Sequence, residues 1–293
     1  MTSLSNWYRG RRVLITGHTG FKGAWLTAWL REAGAMVTGY ALPPERPSLF
    51  ELAGLADGIT SVLADVRERA RLREASLAAA PEVVFHLAAQ SLVRRSYRDP
   101  VGTFDTNLMG TVHLLEAIRD SASVRGVVVV TSDKCYEDTG SAGAYREDDP
   151  LGGHDPYSAS KACAELTTAA YRRSFFSTGA TAVASARAGN AIGGGDYAAD
   201  RLIPDLMRAA DRGGVATLRS PDAVRPWQHV LEPLRGYLLL GRALVERGQE
   251  VAGAWNFGPG EQDMVTVREV ASRLEARWPG LRIAAGSAPV RHQ

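Results

Sequence analysis

Through its first 190 residues the chain alternates short β-branched runs with helical stretches, and this alternation constrains the fold more than any other feature. Arg11–Gly17 (RRVLITG) reads as a buried strand and Gly20–Ala33 as an apolar helix. Further strands are expected at Met36–Ala41, Ile59–Ala64, Glu82–His86, Gly126–Ser132 and Thr181–Arg187, with helices at Arg67–Ala79, Thr103–Arg119 and Tyr157–Ser177. Strands spaced by helices of this length need parallel crossovers, so the pattern predicts an α/β doubly wound parallel sheet. Such sheets take ligands beyond the carboxyl ends of their strands, near the switch point.

Beyond residue 190 the pattern loosens. Helical pieces at Arg201–Ala210, Glu232–Glu246 and Thr266–Arg277 are separated by Gly- and Pro-rich loops, which predicts a smaller substrate lobe. The expected division is 1–190 for the sheet domain and 191–293 for the lobe. Composition narrows the partners. The 34 basic and 32 acidic side chains nearly cancel to +2, so no charge excess points to nucleic acid or a membrane surface. No apolar run approaches membrane-spanning length and no leader-like segment precedes the first strand, so a cytoplasmic protein is expected. Two cysteines, Cys135 and Cys163, cannot build a disulfide framework or a four-ligand zinc site, and His86, His113 and His154 lack ligand spacing, so no metal is expected.

Lysine usage is the compositional oddity that helps locate chemistry. Only three of the 34 basic residues are lysine, namely Lys22, Lys134 and Lys161, and each falls inside a motif. The first motif is Gly17-His18-Thr19-Gly20-Phe21-Lys22-Gly23, between the first strand and the first helix. Glycines there allow a tight turn, close approach to a pyrophosphate and helix–strand contact, while the helix N-terminus supplies N–H groups to the anion. This predicts a Rossmann-like dinucleotide site. The second strand ends Gly39-Tyr40-Ala41-Leu42 with no carboxylate to bind ribose hydroxyls, which leaves NAD and NADP both open at this point. Asp65-Val66, after the third strand, suits an adenine contact, and Asp65 equally suits a helix N-cap.

Tyr157-Ser158-Ala159-Ser160-Lys161 places a phenol and an ammonium on one helix face. A fixed cation favours phenolate and lowers the tyrosine pKa from about 10, making Tyr157 a base for a substrate hydroxyl. An ordinary surface pair is the competing reading. Ser132-Asp133-Lys134 follows the fifth strand, where a hydroxyl can share the substrate proton; a self-satisfied Asp–Lys turn is the alternative. In the second lobe Asn190, Arg201, Arg219 and Arg225, together with Arg187, offer amide and guanidinium donors suited to a diphosphate, and His229 follows nearby. Each arginine taken singly also suits a solvated surface.

With these segments the chain resembles the extended short-chain dehydrogenase/reductases that act on nucleotide sugars, over essentially its whole length. GHTGFKG (17–23), HLAAQSLVRRSY (86–97), TSDKCYE (131–137), GGHDPYSASK (152–161), RAGNAIGGGDYAADRLIPD (187–205) and RPWQHVLEPLRGYLLL (225–240) resemble, more narrowly, the CDP-glucose 4,6-dehydratase family. The resemblance implies a redox-neutral dehydration of a CDP-sugar with tightly held NAD. It implies that Tyr157, Ser132 and Lys161 handle the C4 hydroxyl proton and that Asp133 protonates the departing C6 hydroxyl. Lys134, standing where dTDP-glucose relatives carry glutamate, would act at C5. It also implies that Gly17, Thr19, Gly20, Phe21, Lys22, Gly23, Asp65, Val66, Leu87, Ala88, Ala89, Tyr157 and Lys161 contact the cofactor, and that Ser91, Asn190, Arg201, Arg219, Arg225 and His229 contact the substrate. A homodimer through the Thr103–Arg119 and Tyr157–Ser177 helices is implied as well, and relatives continue several dozen residues past the match to Gln293. A nucleotide-sugar 4-epimerase and a non-catalytic dinucleotide-binding protein are the competing readings. Asp133-Lys134 speaks against the first, and the joint presence of Ser132, Tyr157 and Lys161 against the second.

Overall fold

The computed structural model describes residues 3–138, 144–260 and 263–285. Its elements run α1 (Leu4–Tyr8), β1 (Arg12–Thr16), α2 (Phe21–Glu32), β2 (Met36–Ala41), α3 (Leu49–Leu52), β3 (Thr60–Leu63), α4 (Arg69–Ala79) and β4 (Val83–His86). Next come α5 (Val93–Arg98), α6 (Pro100–Phe104), a π-helical turn (Asp105–Met109), α7 (Gly110–Arg119), β5 (Gly126–Val130), a 3-10 turn (Asp133–Cys135) and α8 (Pro156–Ser174). They are followed by β6 (Ala182–Ala188), β7 (Ala191–Ile192), α9 (Leu202–Asp211), β8 (Val215–Leu218), β9 (Val224–Pro226) and β10 (Gln228–His229). The remainder is α10 (Leu231–Arg247), β11 (Ala254–Phe257), β12 (Met264–Thr266), α11 (Val267–Glu275) and β13 (Arg282–Ala285).

Two compact units emerge. The first comprises 1–188 and 230–257, the second 189–229 and 258–293. In the first, seven parallel strands are ordered β11-β6-β5-β4-β1-β2-β3. Strand order reverses between β1 and β4, so the loops after these two strands diverge to open the crevice that such sheets use for ligands. The strands β4, β5 and β6 are buried at every position, as a sheet covered on both faces requires. Leu114, Leu115 and Ile118 of α7 pack with Leu72, Val84, Val127 and Val183.

Residues 230–257 correct the expected division at 190. Read as part of the lobe, they instead complete the sheet domain: α10 buries Leu234, Tyr237, Leu238 and Leu244 and packs on β4, β5 and β6. Its approach is close, since a Cβ on Gly241 would lie 2.8 Å from the Phe85 ring and 2.9 Å from the Tyr8 hydroxyl. The strand β11 then pairs in parallel with β6, from Ala254↔Ser185 to Phe257↔Ala188. Segment 189–229 of the second unit is therefore inserted in a β6–α10–β11 crossover, and no local sequence signal separates such an insertion from a terminal lobe.

A second correction concerns the helix expected over Thr103–Arg119, which the structure breaks into α6, the π turn and α7. The second unit has its own small core, with Leu206, Leu218, Ala271 and Leu281 buried. Its strands pair two by two, β7 with β10, β9 with β12 and β8 with β13.

Candidate active site

The glycine loop is shaped by contacts that admit no side chain. Gly17 has φ +78°, and a Cβ there would lie 2.7 Å from the Ala88 nitrogen; at Gly23 a Cβ would lie 2.0 Å from the Gly17 carbonyl oxygen. Gly20 differs, because its added Cβ meets the Gly17 oxygen at 3.4 Å, an ordinary contact. Gly20 is also the N-cap of α2 and supplies no side-chain cap, so the first-turn N–H groups face outward for an anion. The Leu87 nitrogen donates to the Thr16 carbonyl at 3.0 Å and the Ala88 nitrogen to Thr16 Oγ1 at 3.3 Å, which brings Leu87 and Ala88 against the loop, with Ala89 next in the chain. Thr19 Oγ1 donates to the Leu42 carbonyl at 2.9 Å, and Phe21 and Lys22 are half-buried on the first turn of α2. These features fit a dinucleotide pyrophosphate.

The missing carboxylate on β2 has a structural counterpart. His18 is fully buried, shares a 2.7 Å hydrogen bond with Ser61 Oγ, and stands edge-on to Phe50. Its ring fills the place a side chain at Gly39 would take, since a Cβ there would lie 2.3 Å from it. Asp65 is not the helix cap: α4 starts at Arg69 with Glu68 as N-cap. The Asp65 carboxylate instead accepts from the Arg67 nitrogen at 2.9 Å and the Arg67 guanidinium at 2.7 Å, which lowers its pKa. Val66 packs its side chain in the core, so only its backbone remains for a ligand.

The candidate groups Ser132 to Lys134 follow β5, and Tyr157 and Lys161 lie on α8. Ser132 caps the 3-10 turn: its Oγ accepts from the Lys134 nitrogen at 3.2 Å and donates to Asp133 Oδ1 at 3.1 Å. The turn packs against α8. Asp155 caps that helix by accepting from the Ser158 nitrogen at 3.0 Å, and Pro156 occupies its first position. Tyr157 is 8 % exposed, with its backbone nitrogen donating to Ser96 Oγ at 3.1 Å. One turn on, Lys161 is 6 % exposed and donates to the Val130 carbonyl at 3.3 Å. Burial, with Lys22 adding like charge, lowers Lys161 to about 8 and the Glu165 carboxylate opposes the fall.

Three residues that the sequence did not single out support this geometry. Asn107 lies on the π turn, 1 % exposed; its Nδ2 donates to the Gln90 carbonyl at 3.0 Å and to Ser160 Oγ at 2.8 Å, while its Oδ1 accepts from the Gln90 nitrogen at 2.8 Å. It ties the loop after β4 to α8, and a π turn is a common device for aiming a side chain at a site. Tyr237 of α10 is fully buried, and burial raises its pKa, with the nearby Tyr157 and Asp133 adding to the rise. Glu165 extends the Tyr157–Lys161 face by one further turn.

His86, at the end of β4, shares hydrogen bonds with Thr16 Oγ1 at 2.7 Å and Thr111 Oγ1 at 3.2 Å, and burial lowers its pKa to about 3. Burial lowers His18 to about 4. Both start from 6.5 in the unfolded chain, so the unfolded state binds more protons as pH falls below 6.5. Stability is therefore expected to be full above pH 6.5 and to decline steadily toward pH 4. Thermal midpoints measured across that window check this, and an unchanging midpoint would contradict it.

The expected substrate residues divide between the units. Ser91 is exposed in the loop after β4, whereas Asn190, Arg201, Arg219, Arg225 and His229 belong to the second unit. Arg201 pairs with Asp196 at 2.9 Å, and Arg219 with Asp200 at 3.2 Å, so the two arginines share one acidic loop. The Asn190 carbonyl accepts from the Gln228 nitrogen at 3.0 Å, beside His229 on β10; Arg225 lies on β9. A cavity of about 660 Å³ in this unit is lined by Ile203, Met207, Trp227, His229 and Leu274, among others, and does not include the other four. Arg187 is a correction: it is 4 % exposed and ion-paired with Glu165 at 2.9 Å, which excludes it as a diphosphate ligand. A sequence records its charge but not its burial.

Comparison with known proteins agrees with this architecture. Residues 13–258 match the model of the NAD dependent epimerase/dehydratase family. The chain is 48% identical to a CDP-glucose 4,6-dehydratase of Salmonella typhimurium, over 93% of this chain and 78% of that protein. Among solved structures, MoeE5 in complex with UDP-glucose and NAD superimposes with a TM-score of 0.78 at 29% identity, covering 95% of this chain and 86% of the other. DesIV of Streptomyces venezuelae, a dTDP-glucose 4,6-dehydratase with NAD and DAU bound, gives 0.79 at 27% identity, covering 94% and 84%. A glycine loop over an uncapped helix, a buried Tyr–Lys face and the match over 13–258 lead to one conclusion: this chain belongs to the NAD dependent epimerase/dehydratase family.

Proposed function

We propose that the protein dehydrates CDP-glucose to CDP-4-keto-6-deoxyglucose. The observation that carries this reading is the Ser132–Asp133–Lys134 turn packed against the helix that bears Tyr157 and Lys161. The 48% identity with a CDP-glucose 4,6-dehydratase supports the substrate. Gly17 to Gly23, Leu87 to Ala89, Tyr157 and Lys161 would hold NAD. When bound, NAD supplies a reversible hydride acceptor, so the overall reaction is redox-neutral.

Tyr157 takes the C4 hydroxyl proton, with Ser132 sharing it and the Lys161 ammonium favouring phenolate. The ketone so formed at C4 acidifies the C5 proton. Asp133 protonates the C6 hydroxyl as it leaves as water, and Lys134 takes the C5 proton; the C5–C6 double bond so formed would regain the hydride at C6 and the proton at C5, which gives the 4-keto-6-deoxy sugar. Asn190, Arg201, Arg219 and Arg225 would meet the nucleotide diphosphate, and Ser91 the sugar.

Exposed apolar side chains on the helices expected to pair two copies, Met109 at 39% and Leu166 at 59%, support a homodimer, which light scattering reads directly. The activity is tested by incubating the protein with NAD and CDP-glucose and following substrate mass. Loss of one water from nearly all substrate is expected, and Asp133→Asn should slow it by about 10²- to 10⁴-fold. Isomerisation at constant mass would instead identify a 4-epimerase. No turnover of CDP-glucose beside turnover of a dTDP-, UDP- or GDP-sugar would reassign the base.

A further inference from the structure

We propose that the buried Glu165–Arg187 pair is a positioning device that clamps the Ser132–Asp133–Lys134 turn at both ends and sets it against the Tyr157–Lys161 face. This rests on the reading above for which groups react. Glu165 and Arg187 are 3% and 4% exposed and lie 2.9 Å apart. A buried ion pair is weak support for stability, because desolvation offsets the attraction and well-packed apolar residues often do as well. What this pair does distinctively is organise its neighbours.

One carboxylate is gripped from two strands. Glu165 Oε1 accepts from Thr131 Oγ1, while Oε2 accepts from Ser185 Oγ at 2.7 Å and Arg187 Nη2 at 2.9 Å. Thr131 immediately precedes Ser132. On the other side Arg187 Nη1 donates to the Tyr136 hydroxyl at 2.7 Å and the Glu147 carbonyl at 3.0 Å. Tyr136 immediately follows Cys135, and its hydroxyl donates onward to Asn256 Oδ1 at 2.7 Å. Every residue from 132 to 135 is therefore held between two anchors that meet at a single ion pair.

Glu165 lies four residues beyond Lys161 and eight beyond Tyr157, on the same helix face. The pair thus connects the proton-abstracting helix to the turn that carries the acid, with no contribution from flexible surface. The Glu165 charge also opposes the lowering of Lys161 by burial, so the clamp supports the ammonium as well as the geometry.

The test unhooks each end while leaving both charges paired. Glu165→Gln is unsuitable, since it leaves a buried guanidinium uncompensated. Thr131→Val removes the hydroxyl that grips Glu165, Thr131→Ser restores it, and Tyr136→Phe removes the anchor on Arg187. Turnover of CDP-glucose and amide hydrogen exchange are measured on each. Thr131→Val and Tyr136→Phe are expected to lower kcat by about 10- to 100-fold, the scale of a sub-ångström to ångström misplacement, with KM changed by less than about twofold. Exchange at residues 132–136 should accelerate while β1 and α2 keep their protection, and Thr131→Ser should behave as the wild type. Unchanged exchange at 132–136, unchanged kcat, or acceleration spread evenly over the chain would each overturn the clamp. Wild-type turnover separates the two claims: if the wild type leaves CDP-glucose untouched, the functional reading fails and the exchange pattern alone decides the clamp.

Discussion

Tyr157→Phe is expected to lower kcat by about 10²- to 10⁴-fold, the usual contribution of a positioned acid–base group, while leaving KM and the thermal midpoint close to wild type. The substitution removes one oxygen and keeps the ring. Tyr157 is 8 % exposed, and its backbone is anchored by Ser96 and by the Asp155 cap of α8, so the helix and ring position should survive. What is lost is the oxygen proposed to accept the C4 proton, while Lys161 keeps its hydrogen bond to the Val130 carbonyl. The check is initial rates by mass spectrometry of the sugar nucleotide beside calorimetric unfolding. A variant that keeps more than about a tenth of wild-type kcat would remove Tyr157 from the base role.

Gly23→Ala is the second large effect, and it acts on the fold rather than the chemistry. The added methyl would lie 2.0 Å from the Gly17 carbonyl oxygen and 2.9 Å from the His18 Cα, both backbone, so relief requires the whole loop to move. Overpacking of this kind costs about 3 kcal/mol, or roughly 10 °C in thermal midpoint for a domain of this size. NAD binding should fall with it, because the displaced loop no longer presents its N–H groups. Gly20→Ala makes the contrast. Its methyl meets the protein at 3.4 Å, so the midpoint should hold while NAD affinity drops by about tenfold or more. Titration calorimetry with NAD and thermal unfolding of both variants separate the two kinds of glycine; equal effects on both readouts would contradict the assignment.

These two predictions differ in how far the sequence reached. Tyr157 and Lys161 were legible because a spacing of four is a statement about one helix face, whatever surrounds it. The loop 17–23 was legible because it joins a strand to a helix, a local context that the periodicity supplies. The distinct roles of Gly20 and Gly23 were not, since they depend on where the Gly17 carbonyl points. Asp65 shows the same limit: the structure removes the helix-cap reading, with Glu68 capping α4 and Arg67 closing on the Asp65 carboxylate.

Long-range partners explain the other differences. The insertion of 189–229 between β6 and α10 follows from β11 completing the sheet beside β6, a pairing of residues some 69 positions apart in register. The π turn at Asp105–Met109 follows from Asn107 reaching both Gln90 and Ser160. The sequence by itself determined the α/β class, six strands along the chain, the glycine loop and the two candidate catalytic motifs, because each is encoded within a few residues. Tertiary structure alone decided that the sheet domain is discontinuous, that His18 takes the place of a side chain on β2, and that Arg187 serves Glu165 rather than a phosphate. Burial and partner choice are properties of packed surfaces, and a charge or a ring acquires its role only when the fold fixes what faces it.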